Sequence, residues 1–123
     1  MIFGIGVDII DVSRICDAME NERFLERIFS EDERAYFTSK QFAPETVAAN
    51  FAAKEAFSKA LGTGIRGFSL CEVSALRDEA GKPYFKLSGD AKKRAEEAGI
   101  TALHLSLSHT RETAIAYVIA ETK

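Results

Sequence analysis

Between Val47 and Leu61 the apolar positions crowd together: Ala48, Ala49, Phe51, Ala52, Ala53, Ala56, Phe57 and Ala60 leave no broad polar face. A helix that is apolar nearly all round belongs in an interior, and alanine is the best helix former. The pattern predicts a buried central helix, opened by Pro44 and closed at Gly62. Ahead of it, Ile2 to Ile10 reads as a first strand with Asp8 as its only charge. Val12, Ile15, Cys16 and Met19 recur at helical spacing, so a short amphipathic helix begins near Asp11 or Ser13. Arg23 to Ile28 gives a second piece. Ser30 followed by Glu33 matches a capping box and starts a helix through Tyr36 and Phe37.

Beyond the central helix, Phe68 to Arg77 and Tyr84 to Leu87 are extended in character and joined by the turn Asp78 to Pro83, a hairpin. Gly89 to Gly99 predicts a surface helix. Ala102 to Ser108 and Thr113 to Ala120 alternate as a closing antiparallel hairpin around His109 to Glu112. Strands and helices in this order predict one α+β domain, a small antiparallel sheet on a long central helix. No repeat, linker or low-complexity segment divides the 123 residues.

A net charge of -3 selects neither nucleic acid nor an acidic membrane in bulk, so an anionic partner needs a local basic patch. Cys16 and Cys71 lack Cys-x-x-Cys spacing, which argues against a zinc site or redox pair; buried thiols in a reducing compartment are expected. The apolar start has no basic leading region and is broken by Gly4, Gly6 and Asp8. It does not read as a signal peptide, and a cytoplasmic protein is the default.

Candidate chemistry sits in three places. The central helix carries Lys54, Glu55, Ser58 and Lys59; Glu55 falls on the row of Val47 and Phe51, where a carboxylate needs a cationic partner, a side chain or a metal. Glu55, Ser58, Lys59 and Gly62 share a face at i, i+3, i+4 and i+7. Gly62, Thr63 and Gly64 are either simple punctuation or a loop that lets another group approach backbone amides. Asp8 is either bonded to a nearby amide or a ligand for a hard cation such as magnesium. His109 follows a strand whose Ser108 points the opposite way, so the two cannot form the nucleophile and base of a hydrolase triad. A histidine at a turn is a structural residue unless other groups converge on it.

Taken together, Gly4-Ile5-Gly6-Val7-Asp8-Ile9, Phe51-Ala52-Ala53-Lys54-Glu55-Ala56-Phe57-Ser58-Lys59-Ala60 with Gly62-Thr63-Gly64-Ile65, and Leu105-Ser106-Leu107-Ser108-His109 resemble the holo-(acyl-carrier-protein) synthases, small trimeric bacterial members of the phosphopantetheinyl transferases. The resemblance spans nearly the whole chain. It implies the phosphopantetheinyl transferase fold and a magnesium-dependent transfer of the phosphopantetheine arm of coenzyme A to a serine of acyl carrier protein, for fatty acid biosynthesis. It further implies Asp8 and Glu55 as metal ligands, Lys59 beside the coenzyme phosphates with Gly62, Thr63 and Gly64 as the adjoining loop, and His109 near the nucleotide. Arg14 and Arg23 fall in the region that docks the carrier, although eight acids face five bases from Asp11 to Lys40. A homotrimer with sites between subunits is expected. Asn50 departs from the family pattern, in which a basic residue often precedes the phenylalanine, and places one coenzyme phosphate contact in question. The general base is not assigned. Two other classes compete: a coenzyme A-binding module, which has no need of two metal carboxylates, and a magnesium-dependent phosphohydrolase, which would cleave coenzyme A with water.

Overall fold

Alanine at nearly every inward position lets other backbones lie directly against the central helix, and the architecture follows from that. The computed structural model describes residues 1–123. Its elements run β1 (Ile2–Asp11), α1 (Val12–Ala18), α2 (Glu22–Ile28), α3 (Glu31–Ser39), α4 (Pro44–Leu61), β2 (Val73–Arg77), β3 (Pro83–Leu87), α5 (Gly89–Glu97), β4 (Ile100–His109) and β5 (Thr113–Thr122). Pro44 opens α4 at its first turn, and Gly62 closes it in the left-handed conformation at φ 78°. The capping box of Ser30 and Glu33 is formed at the start of α3.

The three long strands make an antiparallel sheet in the order β1-β5-β4, while β2 and β3 pair separately. The first and last strands are therefore neighbours, with Asp8 opposite Ala116 and His109 opposite Ala114. One face of the sheet rests on α4. Gly4 and Gly6 of β1 lie against the carbonyls of Ala60 and Ala56, where any Cβ would overlap them. The main core gathers Ile10, Val12, Ile15, Phe29, Phe37 and the α4 alanines with Ala114, Ala116, Val118 and Ala120. A smaller cluster of Phe57, Leu61, Phe68, Leu70, Val73 and Ala91 holds β2 and α5 to the other end of α4.

Two expectations are corrected. The segment before β2 is not extended throughout, because Leu70–Glu72 forms a 3-10 turn under its own capping box with Ser69. Neither thiol is buried: Cys16 is exposed and Cys71 half-buried. No helix is long and apolar enough to cross a membrane.

Candidate active site

Side chains alternate along β1, so Gly4, Gly6, Asp8 and Ile10 share the face toward α4. The glycine contact brings that face close, and Asp8 arrives beside the last turns of the helix. Lys59 Nζ donates to the Val7 carbonyl at 3.0 Å and to Asp8 Oδ1 at 3.3 Å. The lysine side chain remains 55% exposed and Asp8 18%. One turn earlier, Glu55 has no ion-pair partner within 4 Å. Burial pushes its carboxyl above the usual carboxylate range, the Asp8 charge pushes it the same way, and Lys59 opposes both. The structure thus brings Asp8, Glu55 and Lys59 together. Gly62, Thr63 and Gly64 follow directly and are exposed, with Gly64 also at positive φ of 65°.

The partner rule applied to Glu55 belongs to its neighbour. Lys54 is the fully buried charge of α4: its ammonium pairs with Glu33 and donates to the carbonyls of Leu70 at 2.9 Å and Val73 at 2.6 Å. Glu33 Oε2 also accepts from Asn50 Nδ2 at 2.9 Å and from the Ala75 amide at 3.2 Å. Burial pushes the Glu33 carboxyl up and the Lys54 ammonium down, each held against that by the other's charge. Asn50 is fully buried in this network and accepts from Arg77 at 2.8 Å, so it structures the interior instead of meeting a ligand. Ser58 is buried too, donating to the Lys54 carbonyl at 3.1 Å, and does not share the exposed face of Lys59. A lysine in a helix without a polar face was the available signal. Glu33, already explained as a capping acid, gave none.

His109 stands elsewhere in the chain. It is exposed at the end of β4 and lines a cavity of about 450 Å³ with Tyr36, Thr46, Arg77, Lys82 and Ser106, which includes none of Asp8, Glu55 and Lys59. Arg14 on α1 and Arg23 on α2 are both exposed, and Arg23 borders a shallow cavity with Phe24 and Arg27.

The model of the 4'-phosphopantetheinyl transferase superfamily matches residues 4–118, which takes in both carboxylates, the lysine, the glycine loop and the histidine. The chain belongs to this superfamily. Among curated relatives of this phosphopantetheinyl transferase, the holo-(acyl-carrier-protein) synthase of Clostridium novyi is 48% identical over 122 residues, covering 98% of this chain and 88% of that one. Its fold matches the crystal structure of the holo-(acyl-carrier-protein) synthase of Neisseria meningitidis with a TM-score of 0.92 at 39% identity, over 99% of this chain and 100% of the other. The synthase of Helicobacter pylori, solved in complex with coenzyme A, matches with a TM-score of 0.82 at 33% identity over 95% and 99% of the two chains.

Proposed function

We propose that this transferase moves the 4'-phosphopantetheine arm of coenzyme A onto a serine of acyl carrier protein, converting the apo carrier to the holo form used in fatty acid biosynthesis. The convergence of Asp8, Glu55 and Lys59 beside an exposed glycine loop carries this reading. In the reaction the serine oxygen bonds to the phosphorus next to the pantetheine as its proton is released to solvent, the pyrophosphate P–O bond breaks, and the electron pair leaves on adenosine 3',5'-bisphosphate. The carrier supplies the nucleophile, so the protein's task is to position groups and stabilise charge.

The site suits magnesium. Its donors are carboxylate oxygens, the ligand class of hard cations, and Glu55 is held half-buried beside Asp8 without a cation of its own. Asp8 and Glu55 are the residues that would hold the ion, which when bound offsets charge on the pyrophosphate and the departing phosphate. Lys59, anchored by the Val7 carbonyl and Asp8 and still half exposed, adds a second positive charge, and the amides of Gly62, Thr63 and Gly64 offer donors to coenzyme phosphates. Chelation should stop the transfer, and magnesium should restore it.

The reading includes a homotrimer in the cytoplasm with sites between subunits. The sheet face turned away from α4 exposes Phe3, Ile5, Val7 and Ile9 of β1 with Ile115 and Tyr117 of β5, an apolar surface that a second copy would cover. His109, remote from the carboxylates of its own chain, would then serve a neighbour's site. Separately inactive Glu55→Gln and His109→Ala chains, unfolded together and reassembled, should recover about a quarter of wild-type activity by random pairing. No recovery would place His109 outside the shared site. For carrier docking, Arg14→Ala should raise the KM for carrier several-fold while leaving the KM for coenzyme A unchanged, since a rim charge steers one partner only; equal loss for both would remove α1 from the docking surface.

A further inference from the structure

We propose that Arg94 is a positioning residue for the coenzyme A phosphates: from α5 it latches the Gly62 to Gly67 loop in the shape that receives them. The inference rests on the reading that this loop meets the phosphates. All six loop residues are exposed, and Gly62, Gly64 and Gly67 have φ of 78°, 65° and 81°. Glycine-rich backbone of this kind has many alternatives to its ordered form and loses much freedom when fixed. Nearly all the loop's hydrogen bonds are local, Gly62 amide to Lys59 carbonyl, Arg66 amide to Gly64 carbonyl and Thr63 hydroxyl to Gly64 carbonyl. One reaches it from afar: Arg94 Nη1 donates to the Arg66 carbonyl at 2.7 Å, across 28 residues of sequence.

The surroundings are built for that bond. The guanidinium passes over Gly67, where a Cβ would meet Nη1 and push the arginine aside. Helix α5 is firmly seated, with Ala91 and Ala95 buried. Its first turn is clasped by Glu72, whose carboxylate accepts from the Asp90 amide at 3.1 Å and the Ser69 amide at 2.9 Å. Glu72 thereby ties α5 to the chain just past the loop, and Arg94 ties it to the loop itself at Arg66. A charged donor on a neutral carbonyl is a stronger bond than an ordinary amide pair. Without it, the cost of ordering the loop falls on coenzyme binding, while the carboxylates and the carrier surface are untouched.

The test compares Arg94→Ala, Arg94→Lys and, as a control on the underlying reading, Lys59→Ala. Arg94→Ala should raise the KM and the calorimetric Kd for coenzyme A by about five- to tenfold, the net size of one hydrogen bond at an exposed position, with kcat and the carrier KM within twofold of wild type. Arg94→Lys, which keeps a cationic donor on a shorter side chain, should fall between wild type and the alanine variant. The salt dependence of the Kd should match wild type in the alanine variant, because the latch acts on a neutral group. A Kd for Arg94→Ala within twofold of wild type, while Lys59→Ala binds poorly, would overturn the latch alone. A flattened salt dependence would overturn it also, by making Arg94 a direct phosphate contact. If Lys59→Ala binds coenzyme A normally, the phosphate reading of the loop fails and the latch with it.

Discussion

Lys54→Met should lower the stability of the protein by about 3–5 kcal/mol, the usual result of removing one partner from a buried ion pair. The side chains of Lys54 and Glu33 are both fully shielded from solvent. Methionine keeps much of the lysine's length, so packing against Phe29, whose ring lies 5.3 Å from the ammonium, is largely retained. The loss is electrostatic. Glu33 keeps Asn50 and the Ser30 and Ala75 amides but no ion-pair partner, and the carbonyls of Leu70 and Val73 lose their donor. The expected fall in Tm is on the order of 10 °C or more for a domain of this size. Denaturant unfolding followed by circular dichroism measures it, and a loss below about 1 kcal/mol, typical of an exposed pair, would contradict the buried network.

Glu55→Gln should abolish magnesium-dependent transfer, by about a thousandfold or more, since it withdraws charge stabilisation where charge develops. The fold should survive because volume is kept and the residue is only half-buried. An additional effect separates this account from a merely structural role for Glu55. Burial, and then the Asp8 charge, hold the Glu55 proton more tightly in the folded chain than in the unfolded one. Between the ordinary carboxylate range and the raised value the folded state binds more protons, so the metal-free protein loses stability as pH rises through that window. Glu55→Gln removes that dependence and should be slightly more stable than wild type above it, when both are compared without metal. Normal turnover, or a stability loss at neutral pH, would contradict the assignment.

How much was legible in the sequence depended on whether a residue's role was local. Pro44, the Ser30 to Glu33 box and Gly62 act within one turn of themselves, and each marks its boundary as the pattern says. The α4 alanines announced burial, and Gly4 and Gly6 of β1 prove to be where that strand meets the α4 carbonyls. Asp8, 47 residues ahead of Glu55, was joined to it by resemblance, and the backbone contact of β1 with α4 now gives a physical reason for their meeting. Charge pairing across the fold was not legible. Lys54 and Glu55 are adjacent in sequence and about a quarter-turn apart around the helix, and only tertiary packing decides which faces the interior. The pairing of Arg94 with the Arg66 carbonyl has no local signature, because it depends on where α5 docks. Nor could spacing reveal that His109 lines a cavity without the carboxylates.

The central claim, transfer by a carboxylate pair at the end of α4, is most directly tested by intact-mass spectrometry of apo acyl carrier protein incubated with this protein and coenzyme A, with magnesium and then with chelator. The account predicts that the carrier gains the phosphopantetheine mass only with magnesium, and gains nothing with Glu55→Gln. A carrier that stays unmodified while coenzyme A is bound or hydrolysed would contradict it and make the protein a coenzyme-binding module or a phosphohydrolase.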